Sequence, residues 1–198
     1  MSIRVFVEGG GDQRRTQTAC RKAFHILFEK LLGDRPSPAI TACGGRDEAY
    51  RDFRRSLDRN PATLAVLLVD SEGPVAAGNS PATHLRGRDG WTAPTPEEQV
   101  HLMVQCMEAW FLADKAALTS FYGQGFREGA LPPNPNIEAV PKGDLLKGLE
   151  RATASTSKGS YHKTQHGFAI LERIDPAALR RNSPHAERLF RFLLDRLA

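Results

Sequence analysis

A chain of 198 residues with 40% hydrophobic and 25% charged residues suits one globular domain with a sizeable elaboration and a real core. Its formal net charge of +4 is compatible with a polyanionic partner but too small to demand one. The three cysteines, Cys20, Cys43 and Cys106, form no C-x-x-C pair, which argues against a disulfide framework or a cysteine zinc site. No apolar run approaches the length of a membrane span, and no basic region precedes an apolar signal core. The expectation is a soluble protein of a reducing cytoplasm, with no membrane partner.

Ile3-Arg4-Val5-Phe6-Val7 reads as a short strand that delivers Glu8 to the run Gly9-Gly10-Gly11. Asp12 is placed to cap a helix whose apolar stripe is Cys20, Phe24, Leu27, Phe28, Leu31 and Leu32, with Gly33 ending it. Residues 38–42 predict a short strand closed by Gly44-Gly45. A second helix follows, with Ala49, Tyr50, Phe53 and Leu57 on one face and Arg51, Arg54, Arg55 and Arg59 on the other; Asn60-Pro61 breaks it. Leu64 to Val69 is wholly apolar, as a parallel strand buried on both faces should be, and it runs into Asp70-Ser71-Glu72-Gly73. Strands alternating with helices predict an α/β fold with a mainly parallel, Rossmann-like sheet.

Residues 73–96 are rich in proline and glycine and poor in large apolar residues, so they read as a long loop. That loop carries Arg86 and Arg88, positioned to close over a phosphate. Thr95-Pro96-Glu97-Glu98 has the form of a capping box with proline at the first helical position. The following stretch fits either one helix or a strand over residues 100–106 with a helix from Glu108; the second version is favoured. Further helices are expected over residues 144–152, over 166–174, and from Ser183-Pro184, whose stripe is Ala186, Leu189, Phe190, Leu193, Leu194 and Leu197. Residues 1–115 are therefore expected to form the α/β core, and residues 116–198 an α-helical C-terminal elaboration packed on it.

Twice an apolar strand hands carboxylates to a glycine-containing turn. In open parallel sheets such turns lie where ligands bind. If the two strands are neighbours, Glu8, Asp70 and Glu72 converge on a site for Mg2+ or Mn2+, which take hard oxygen ligands. Glu8 is also the candidate general acid or base, and Glu108 a candidate fourth acid. The glycine run is neither a dinucleotide fingerprint nor a phosphate loop: Arg14 stands where the former needs glycine, and no Gly-Lys-Ser/Thr follows. Gly9 and Gly10 instead suit close approach of a phosphate or metal to the backbone. Lys142, Lys158 and Lys163, with Arg86 and Arg88, are the candidate phosphate-binding cations. His162 and His166 have a helical spacing open to zinc but lack a third ligand.

Val7-Glu8-Gly9, with Asp70-Ser71-Glu72 after a later strand, resembles the Toprim domain of type IA topoisomerases, DnaG-type primases and overcoming-lysogenization-defect (OLD) nucleases. That resemblance implies a Toprim-like fold and Mg2+-dependent phosphodiester chemistry, with Glu8 as acid/base and Asp70 and Glu72 as metal ligands. It departs from the family pattern at Glu72, where the second acid of an Asp-x-Asp turn is one methylene longer. Residues 107–114, with Pro141-Lys142 and Tyr161-His162-Lys163, resemble a bacterial domain-of-unknown-function family of small Toprim-like proteins distantly related to OLD nucleases. The expected function is that of a nuclease or phosphoryl-transfer protein acting on nucleic acid, possibly in defence against foreign DNA. A separate ATPase partner is implied by the same likeness, and the rival reading is a non-catalytic binding module. Oligomeric state is not legible.

Overall fold

The computed structural model describes residues 2–59, 62–92 and 96–197. Four strands, β1 (Ser2–Gly10), β2 (Ala39–Gly44), β3 (Thr63–Asp70) and β4 (Val100–Met103), form one all-parallel sheet in the order β2-β1-β3-β4. Successive side chains point to opposite faces of a strand. Val5, Val7, Val66 and Leu68 thus enter one core, while Phe6, Leu67 and Val69 enter another. This burial on both faces explains the unbroken apolar run of β3.

The first core is closed by α1 (Arg14–Leu32), which contributes Cys20, Phe24, Leu27 and Phe28. Gly33 ends that helix at φ 61°, with its N–H on the Glu29 carbonyl at 2.9 Å. The expected cap at Asp12 is corrected: Gln13 occupies the cap position and no side chain bonds there. The helix start is held from inside instead, because Thr16 donates to the Gly10 carbonyl and Gln17 Nε2 to that of Gly11 at 3.0 Å.

The second face is covered by α2 (Arg46–Arg59) through Ala49 and Phe53, and by α3 (Pro81–Asp89) through Leu85. The helix α3 lies inside the segment expected to be a loop. Ser80 Oγ caps it by accepting from Thr83 N–H at 3.1 Å, Pro81 opens it, and Gly90 closes it in the left-handed region. Only Pro81, Ala82 and Leu85 of this helix are buried, too few for a periodic signal. The expected break at Asn60-Pro61 and the capping residue Thr95 lie outside the described residues.

Beyond β4 the chain turns into a buried 3-10 helix over Met107–Ala113, so the strand-then-helix version holds with a tighter helix than expected. The helices α4 (Lys115–Tyr122), α5 (Lys142–Thr153), α6 (Lys163–Leu171), α7 (Pro176–Asn182) and α8 (Pro184–Arg196) follow. Their apolar sides share one core with α1 and the first sheet face. Trp110 sits at its centre, edge-on to Phe24 and to Phe190, each at 6.3 Å between ring centroids. Asp114 joins two of these helices: its Oδ1 accepts from Ala117 N–H at 3.0 Å, and its Oδ2 from Asp175 N–H at 2.9 Å. Among the described residues, no helix is long and apolar enough to cross a membrane.

Because Trp110 ties α1 to α8, Trp110→Ala is expected to cost about 3–5 kcal/mol of unfolding free energy. Urea denaturation checks this, and a loss below about 1 kcal/mol contradicts the placement of that ring at the core's centre.

Candidate metal centre

From β1 the chain crosses to β2 on one side and later returns as β3 on the other, with Val7 beside Leu68 in the register. The carboxyl ends of β1 and β3 therefore flank the switch point of the sheet, where the diverging connections open a crevice. Glu8 comes from the end of β1, Asp70 is the last residue of β3, and Glu72 follows two residues on. One carboxylate oxygen from each lies within 4.8 Å of the others.

The turn that presents Glu72 is held by the strand beside it. Ser71 N–H bonds the Met103 carbonyl at 3.0 Å, and Glu72 N–H bonds that of Gln105 at 2.8 Å. Glu72 has φ 61°, a left-handed conformation that costs a residue with a side chain on the order of 1 kcal/mol. Those two bonds make the conformation obligatory, and it turns the Glu72 side chain back toward Asp70.

Three cations balance the three acids. Arg46, the first residue of α2, places Nη1 3.5 Å from Glu8 Oε2, donates to the Asp70 carbonyl at 3.1 Å, and holds Asp89 through Nη2 at 2.8 Å. Lys142 Nζ bonds both Glu72 oxygens, at 2.7 and 2.8 Å. Lys163 Nζ lies 3.9 Å from Asp70 Oδ2 and 3.6 Å from Glu108 Oε1. Backbone donors complete the arrangement: Asp70 N–H bonds Glu8 Oε2 at 3.0 Å, and Met107 N–H bonds Asp70 Oδ1 at 2.8 Å.

Burial sets the proton affinities. It pushes the Asp70 carboxyl up to about 8, aided by the nearby Glu8 charge and opposed by Lys163. Burial also raises Glu8, against the pull of Arg46. For Glu72 burial pushes upward too, but the bonds and charge of Lys142 outweigh it and hold this carboxyl below its ordinary value. Burial depresses the Lys163 ammonium less than Glu108 and Asp70 raise it, so Lys163 stays charged. The site thus presents one acid that remains ionised and two that hold protons into the neutral range or toward it.

Glu108 does not join the three-carboxylate cluster. It is 1% exposed, its Oε1 accepts from the Tyr161 hydroxyl at 3.0 Å, and its Oε2 has no partner among the described residues. It lies behind Lys163 and acts on that ammonium. Of the candidate phosphate-binding cations, Lys163 and Lys142 stand at the acids, and the Arg88 charge reaches Glu72. Arg86 is exposed on α3, and Lys158 lies over the Phe121 ring at 5.3 Å, so neither contacts an acid of the cluster. Gly9 and Gly10 line the site, but their own packing also demands glycine: at φ 88°, a Cβ on Gly10 would meet the Gln17 backbone at 2.8 Å. His166 Nδ1 is taken by the Tyr122 hydroxyl at 3.1 Å and by His162 N–H at 3.3 Å, which leaves it no role as part of a helical zinc pair through that nitrogen.

Sequence reasoning missed Arg46. The available signal was an arginine opening a helix directly after Gly44-Gly45, at the carboxyl edge of the sheet. Beside the acids lies a cavity of about 240 Å³ bounded by Glu8, Gly9, Asp70, Met107, Lys163 and Phe168.

A folded-state proton affinity above the ordinary value makes stability fall as pH rises. For Asp70 the contribution is complete below 3.8 and is lost as pH rises through about 8. Metal-free protein is therefore expected to melt lower at pH 9 than at pH 5, by at least about 5 °C, and Asp70→Asn should flatten that dependence while its remaining side-chain oxygen still accepts from Met107. Equal pH profiles in the two proteins count against the crowding of buried carboxylates described above.

No curated protein and no solved structure matches this chain. A family described as a domain of unknown function, DUF4276, matches residues 7–194, nearly the whole of the chain. The match spans the sheet, the carboxylate cluster and the C-terminal helices alike, and the chain belongs to the DUF4276 family.

Proposed function

We propose that this protein is a Mg2+- or Mn2+-dependent phosphodiesterase of Toprim type that cuts nucleic acid. The observation that carries the reading is the convergence of Glu8, Asp70 and Glu72 within 4.8 Å at the switch point of a parallel sheet. Three hard oxygen donors at that spacing fit a small divalent cation, which takes carboxylates together with water and substrate phosphate. The unpartnered, buried Glu108 oxygen and the half-exposed Lys163 fit a site completed by a charged ligand.

Bound there, the cation would supply Lewis-acid polarisation of the phosphoryl group and activation of water near neutral pH. Asp70 and Glu72 hold it, which requires Asp70 to give up its proton and Lys142 to release Glu72. Glu8, raised above the ordinary carboxylate range, is suited to take a proton from the attacking water and return it to the leaving oxygen. Lys163, anchored from behind by Glu108, neutralises charge that develops on the phosphoryl oxygens. The likeness to nucleases that work beside an ATPase extends the proposal to a separate ATPase partner.

The Lys142–Glu72 pair favours a second reading, a non-catalytic module that binds nucleic acid or a partner protein while lysine permanently satisfies Glu72. Thermal melting separates the two. Under the first reading Mg2+ at about 100 times its dissociation constant adds about 2.7 kcal/mol to stability, and Asp70→Ala abolishes both that gain and Mg2+-dependent cleavage of a labelled oligonucleotide. Equal Mg2+ responses in wild type and Asp70→Ala sink the metal site, and metal binding without cleavage of any nucleic acid leaves the second reading in its place.

A further inference from the structure

We infer that the cavity beside the carboxylates receives one unpaired nucleotide, so that the substrate is single-stranded nucleic acid; the inference deepens the phosphodiesterase reading and rests on it. Asp70 is 3% exposed, and Met107 N–H already occupies one of its oxygens. A phosphate that shares a cation with Asp70 must therefore descend toward the floor of the 240 Å³ cavity. Phe168 and Met107 wall one side with apolar surface, and the Gly9–Gly11 backbone forms the other. The Phe168 ring borders that backbone closely, since a Cβ on Gly9 would lie 3.6 Å from it. An apolar slot with an aromatic wall and a lysine beside it suits a base and its phosphate, and stacking on an aromatic ring accepts any base.

At Thr164 this cavity meets a second groove, of about 430 Å³, between the starts of α1 and α6. Gln13, Arg15, Thr16 and Gln165 line it, with no carboxylate among its lining residues. An apolar slot followed by a polar, cationic groove repeats the alternation of base and phosphate along one strand. In a duplex the bases are paired and stacked, and drawing one into the slot costs a few kcal/mol, whereas an unpaired strand pays far less. The carboxylates therefore lie at a depth that a single strand reaches and an intact duplex does not.

Fluorescence anisotropy with Ca2+ in place of Mg2+ tests this, using single-stranded oligothymidylate and oligouridylate of about eight nucleotides and a fully paired DNA hairpin as probes. Either single strand is expected to bind at least tenfold more tightly than the hairpin. Phe168→Leu and Arg15→Ala should each weaken single-strand binding about fivefold or more, while the Mg2+-induced rise in melting temperature is retained. Arg15 is exposed, so its variant carries the test if Phe168→Leu fails to fold. A hairpin that binds as well as the single strands, no binding of any probe, or single-strand affinity unchanged in both variants overturns the inference. A single-strand preference in a wild-type protein that shows no Mg2+ response supports the nucleotide cavity and strikes only the metal reading.

Discussion

Three carboxylates are forced together at a place where water cannot fully screen them, and the rest of the site is a response to that crowding. The sheet order brings the ends of β1 and β3 side by side, so Glu8 and Asp70 meet through backbone pairing rather than side-chain preference. Glu72 is added by a turn whose left-handed residue is held by the β4 side of the crevice. Left alone, such a cluster would repel and lose stability. The protein answers in two ways: protons are retained at Asp70, and Arg46, Lys142 and Lys163 are drawn in from three different helices.

Those cations differ in what they can do. Arg46 is 16% exposed and fixed by Asp89, the Asp70 carbonyl and stacking over Trp91 at 5.4 Å, so it is a permanent part of the scaffold. Lys142 and Lys163 sit on long flexible stems at the open side and are only partly buried. Their ammonium groups can withdraw when another positive charge arrives. A site that holds its own exchangeable counterions keeps its acids in place without a ligand, and gives them up to one.

Much of this was legible from the residues. The two acidic turns each follow an apolar strand, and a strand buried on both faces must lie inside a sheet, so the meeting of Glu8, Asp70 and Glu72 followed once β1 and β3 were taken as neighbours. Arg46 was not legible, because its role depends on β2 lying beside β1, which one arginine after two glycines does not announce. The helix α3 escaped because so few of its residues face the core. Glu108 looked like an acid for a helix start or a fourth ligand; its actual partner, the Tyr161 hydroxyl, is 53 residues away and no local pattern points to it. Asp12 had the right chemistry for a cap, yet the chain enters α1 one residue later, where Thr16 and Gln17 do that work.

The central claim is that Glu8, Asp70 and Glu72 share one divalent cation. Anomalous diffraction from crystals soaked in Mn2+ tests it most directly. The account predicts a single strong peak with a carboxylate oxygen of each residue about 2 Å away, and with the Lys142 ammonium moved off Glu72. Crystals that show no peak there, with Lys142 and Lys163 still on their acids, contradict it.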